Sequence, residues 1–118
     1  MDYRESIKDC FANILEQEKL LVSMNFSMGL SMDIRPLAQT LDNLKIMMVY
    51  AWEKKGYGTY KEFFHGKELE TKYLSILNYP HDVVINDFKK YLRFNHVRTM
   101  FDDDLKSLEQ MEEIMNSL

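Results

Sequence analysis

Apolar residues recur at every third or fourth position along most of this chain, the spacing of helices that each bury one stripe. Over residues 2–21 the stripe is Tyr3, Ile7, Cys10, Phe11, Ile14, Leu15 and Leu21, with Arg4, Glu5, Lys8, Asp9, Glu16 and Lys19 opposite. Residues 36–55 carry a second stripe of Leu37, Leu41, Leu44, Met47, Met48 and Ala51. Pro36 suits its first turn, where a missing N–H costs nothing. Lys54 and Lys55 suit its negative end, and Gly56 suits a left-handed stop. Thr59 and Glu62 have capping-box spacing, which predicts a short helix through Phe64 that ends near Gly66. Leu69, Tyr73, Leu74 and Leu77 predict a helix over 67–77, broken at Asn78-Tyr79-Pro80 because proline disfavours helical geometry in the residue before it. Asp82 then leads a helix to about Val97, with Val84, Ile85, Phe88, Tyr91 and Leu92 inward. Residues 102–118 form the last, with Asp102, Asp103 and Asp104 at its positive end and Leu105, Leu108, Met111, Met115 and Leu118 as its stripe.

Residues 22–34 depart from this period. Val22, Met24, Phe26, Met28, Leu30, Met32 and Ile34 alternate with small or polar residues, the period of a strand with one buried face. Ser, Asn and Gly are poor strand formers, which favours a continuation of the first helix instead. Both readings stand at this point: an extended arm or strand over 22–34, or a helix buried on two sides.

The whole is expected to be mostly α, a single helical domain over 1–118 built as a bundle of four to six helices. Its 118 residues suffice for one core, and four glycines and two prolines are too few for an all-β fold. No apolar run approaches the roughly 18–20 residues of a membrane span. The acidic N-terminus lacks the apolar core of a signal peptide. One cysteine, Cys10, excludes an internal disulfide and any cysteine-based zinc site. A cytoplasmic location is therefore expected.

The charge, −4 overall, is unevenly placed. Lys89, Lys90, Arg93 and Arg98 make the 81–100 region basic, whereas 102–118 is acidic, so these two helices are expected to pack side by side. His65, His81 and His96 have no partner at metal-ligand spacing, and no phosphate loop or nucleophile elbow is present. No catalytic residue, metal site or cofactor is assigned. Lys89, Arg93, His96 and Arg98 are the candidates for contact with phosphate or RNA. Nine methionines, one Trp, seven Tyr and seven Phe give much adaptable apolar surface. Trp52, Tyr57 and Tyr60, grouped around the Gly56–Gly58 turn, either close one end of the bundle, anchor a protein contact or stack on bases.

The run Tyr91-Leu92-Arg93-Phe94-Asn95-His96-Val97-Arg98-Thr99-Met100-Phe101, with Leu37-Ala38 opening an earlier helix and the Phe64-His65 pair before another, resembles the HEPN superfamily. These are small four-helix RNases of toxin–antitoxin and defence systems. The resemblance spans roughly residues 37–105 and implies a helical bundle. The family's catalytic signature, an Arg followed some four to six residues later by His, has no counterpart at Arg93 or Arg98. The resemblance thus implies the fold more than the activity.

The expected role is that of a small non-enzymatic regulator, an inhibitor, antitoxin or phage- or defence-related adaptor, acting by occupying a protein partner. Met24, Phe26, Met28, Met32, Trp52, Tyr57 and Tyr60 are its expected contact residues. A homodimer is an option, a membrane is not expected, and the acidic balance disfavours nucleic acid. The alternative is a HEPN-type metal-independent RNase or RNA-binding relative using Arg93, His96 and Arg98.

Overall fold

The computed structural model describes residues 2–27, 35–93 and 108–118. Its elements are α1 (Arg4–Ser27), α2 (Arg35–Lys54), a 3-10 turn (Tyr60–Glu62), α3 (Lys67–Ile76), α4 (His81–Arg93) and a C-terminal helix, α5 (Leu108–Asn116). The protein is a mostly α-helical bundle, and no strand occurs among the described residues.

The alternation that begins at Val22 does not make a strand where it is described, because α1 continues through Ser27. A helix already running adds one local hydrogen bond per residue, whereas a strand needs a second strand beside it. None lies among the described residues to pair with it. The rest of that segment, with Met28 and Met32, lies outside the described residues.

The core centres on α2. Its expected stripe is buried at Leu41, Leu44, Met47, Met48 and Ala51, but so are Ile46, Val49, Tyr50 and Trp52 between them. Every residue from Leu44 to Trp52 is buried. A helix that is apolar all round belongs in the centre of a bundle rather than on its edge. α1 packs along it most extensively, and α3, the 3-10 turn and α5 also touch it. α1 contributes Ile7, Cys10, Phe11 and Ile14, and α5 contributes Leu108, Met111, Ile114 and Met115. The basic α4 and acidic α5 do pack together, with Val84, Ile85 and Leu92 buried on α4.

The ends of the helices follow local chemistry. Asp2 Oδ1 accepts the Arg4 backbone N–H at 2.9 Å, which occupies one unpaired donor of the first turn of α1. That bond, helped by the Arg4 guanidinium, holds the Asp2 carboxyl below its ordinary range. At the end of α2, Gly56 takes φ +75°. The Tyr57 N–H then bonds Trp52 O at 3.2 Å and the Gly56 N–H bonds Glu53 O at 3.0 Å, a Schellman stop. Its usual apolar contact is present, the Trp52 and Tyr57 rings meeting edge-on at 5.4 Å.

The expected capping box at Thr59 does not form. Thr59 makes no side-chain cap, and only a 3-10 turn follows. The Glu62 N–H that such a cap would bond goes to the Thr59 backbone carbonyl at 3.3 Å, and the Tyr60 N–H is taken by Glu53 Oε2, at 2.6 Å, from the end of α2. A carboxylate acceptor makes the stronger, charge-assisted bond. Glu62, the expected partner of Thr59, folds its carboxylate against Gly58.

Candidate functional site

The aromatic turn proves to be largely internal. Trp52 is only 3% exposed. It meets Phe63 edge-on at 5.2 Å, and Phe63 in turn stacks obliquely on Phe11 at 4.9 Å. Tyr57 and Tyr60 are half-buried. The Tyr57 hydroxyl accepts the Tyr3 backbone N–H at 3.0 Å, and the Tyr60 hydroxyl donates to Glu70 at 3.1 Å. The neighbouring cations are committed to these same rings. Arg4 lies 4.6 Å from the Tyr57 ring, Lys8 5.3 Å from Trp52 and Lys55 4.5 Å from Tyr3. This cluster ties α1, the 56–58 turn and the 3-10 turn together and closes one end of the bundle.

A polar seam runs beside it. Burial pushes the Tyr73 hydroxyl well above the ordinary tyrosine range, reinforced by the Glu53 carboxylate nearby. The Tyr50 hydroxyl and His81 Nδ1 are 2.6 Å apart and join α2 to the first residue of α4. Their rings lie nearly parallel, 5.6 Å between centroids. Burial likewise pushes the Tyr50 hydroxyl upward. On the other flank of α2, Lys45 is 6% exposed. Its Nζ lies 2.7 Å from Glu18 and 3.2 Å from Asp42. Burial outweighs the pull of Lys45 and holds the Glu18 carboxyl above its ordinary range.

Open apolar surface occurs elsewhere. Between α3 and α4 lies a groove of about 350 Å³ lined by Ile76, Tyr79, Val83, Val84, Asp87 and Phe88. Tyr79 is 62% and Val83 42% exposed. Neither is on the expected contact list, because in the sequence Tyr79 reads only as part of a helix break and Val83 falls off the α4 stripe. Their exposure depends on how α3 and α4 are placed in the bundle, which no local pattern encodes.

Met24 and Phe26 lie on the last turns of α1. Lys89 is half-buried on α4, and Arg93 is that helix's last residue. His96 and Arg98 lie outside the described residues, as does the resembling run from Phe94 onward. Of its other residues, Phe64 is buried and His65 exposed. Cys10 is buried, its Sγ 4.0 Å from Gln110 Oε1. Among the described residues there is no cluster of three or more His, Cys, Asp or Glu side chains able to hold a metal. No helix of the described residues is long and apolar enough to cross a membrane. Comparison with protein-family models, curated proteins and solved structures returns no match.

Proposed function

We propose that this protein is a small binding module that acts by occupying a protein partner, and that the α3–α4 groove is its contact surface. The observation that carries the reading is the groove itself: apolar, open, and rimmed by Tyr79 and Val83 side chains that nothing in the described structure covers. A half-exposed tyrosine beside aliphatic residues suits an interface, where its ring is buried and its hydroxyl stays near water. Among the described lining residues Asp87 is the one charged side chain, and it favours a partner that places a Lys or Arg at the edge of its apolar contact.

The test is a comparison of wild type with Val83→Asp and Tyr79→Ser, first checked for unchanged helical signal. A partner identified by crosslinking from Val83→Cys is purified and titrated by calorimetry. A binding module of this kind forms a complex of fixed stoichiometry, and each groove variant weakens it at least tenfold. A complex indifferent to both variants refutes the assignment of the groove. Single-stranded RNA incubated with the purified protein provides the opposing outcome: cleavage that disappears in His96→Ala replaces this reading with a HEPN-type nuclease.

A further inference from the structure

One face of α1 is turned away from the bundle and is partly apolar. Leu15 is 37% and Val22 49% exposed. With Lys19 and Ser23 they line a shallow depression of about 430 Å³ along the helix. Ala12 and Glu16 are exposed on the same side. Ala12, Leu15, Lys19 and Val22 follow one another at steps of three, four and three residues. That is the a and d spacing which keeps a seam facing a second helix along its length.

The seam matches itself when a second copy of α1 runs antiparallel. A two-fold axis passing beside residue 17 sets Ala12 against Val22 of the second copy, a small side chain against a branched one. It also sets Leu15 against Lys19 of the second copy. The lysine methylenes then cover the leucine while the ammonium reaches outward. Glu16 is the next residue after Leu15, so that ammonium arrives beside a carboxylate, and the symmetry makes the same contact twice. Other alignments lose this match. A parallel pair sets Lys19 against its own copy. Sliding the antiparallel pair by one heptad in one direction brings Lys8 against Lys19. Sliding it in the other direction leaves Ala12 without a partner and carries the Lys19 ammonium roughly 9 Å along the axis from Glu16.

We propose that the exposed face of α1 is a self-association surface, through which two copies of this chain pair antiparallel with Lys19 of each beside Glu16 of the other. The surface shares no residue with the α3–α4 groove, so the two proposals stand or fall separately. One helix pair is a small interface beside the roughly 800 Å² per partner of a standard complex, so the dimer is weak, with a Kd on the order of 100 µM. Sedimentation equilibrium of the full chain between 10 µM and 1 mM measures it. Glu16→Lys and Lys19→Glu each alter an exposed side chain and should keep the wild-type melting temperature. Each places like charges together at both symmetric contacts and should weaken self-association at least tenfold. An equimolar mixture of the two variants restores opposite charges at both contacts and should dimerise about as well as wild type. A wild-type chain that is monomeric at 1 mM overturns the proposal. So does a dimer that neither variant weakens, or one that Val83→Asp abolishes, which would assign self-association to the groove. A mixture that stays as monomeric as its components overturns the antiparallel pairing.

Discussion

Ile46 offers a test in which two views of α2 differ in sign. On an ordinary amphipathic helix Ile46 sits opposite the stripe, facing water. There, Ile46→Ala would stabilise the helix by about 0.4 kcal/mol, since alanine has the better helix propensity. In the structure Ile46 is 0% exposed and belongs to the central cluster. Truncation then removes buried carbon at roughly 0.8 kcal/mol per group, about 2.4 kcal/mol for three. The cavity left behind adds up to about another 1 kcal/mol, and the propensity gain returns only about 0.4. The net loss is about 2–3 kcal/mol. With a urea m-value of roughly 1.5 kcal/mol/M, the unfolding midpoint falls by about 1.3–2 M. Urea unfolding followed by far-ultraviolet circular dichroism measures this directly. Leu44→Ala, on the stripe and equally buried, should lose a similar amount. An Ile46→Ala midpoint equal to or above wild type would refute the central placement of α2.

The two ends of the loop region respond oppositely to added side chains. Gly56→Ala forces a Cβ into the left-handed conformation at φ +75° and should cost about 1–2 kcal/mol in the same assay. Gly66 has extended dihedrals at the start of α3 and open space at its Cβ position; Gly66→Ser should gain about 0.5–1 kcal/mol by supplying a cap and restricting the unfolded chain. Met111→Asp places a charge at a fully buried position of α5 and should abolish cooperative melting; an unchanged melting temperature would mean that this face is not in the core. Because burial raises the folded-state value of Glu18 above the ordinary 4.5, its contribution is fully present below that value and is lost as pH rises through the raised one. The melting-temperature difference between wild type and Glu18→Gln, followed from pH 4 to 7, should therefore decline with pH, and a rising difference would contradict the buried placement of Glu18.

The chain's local patterns carry the helices. Stripes at three-and-four spacing place α1 to α5 because a helix is assembled from contacts within four residues, and those are written consecutively. The stop at Gly56 is legible for the same reason, since only glycine enters that conformation without cost. Lys45 and Asp42 are likewise visible as neighbours on one helix face. Glu18, which completes their cluster, lies on another helix, and nothing in its own surroundings marks the pairing.

Whatever depends on which helix faces which was settled by the tertiary structure. Thr59 and Glu62 have the spacing of a cap, but the Glu62 N–H bonds the Thr59 carbonyl in a 3-10 turn, the Glu62 carboxylate lies against Gly58, and Glu53 of α2 takes the Tyr60 N–H. Val22 to Ser27 alternate like a strand, yet they continue a helix, because a strand requires a distant partner and a helix does not. Trp52 reads as a contact residue, and it is buried because α1 and the Phe63 ring close over it. Tyr79 and Val83 read as nothing in particular and form the open groove. Hydrophobic pattern specifies that a side chain prefers to be covered. Only the packing of the helices decides which side chains have cover available: Ile46 has it and Val83 does not.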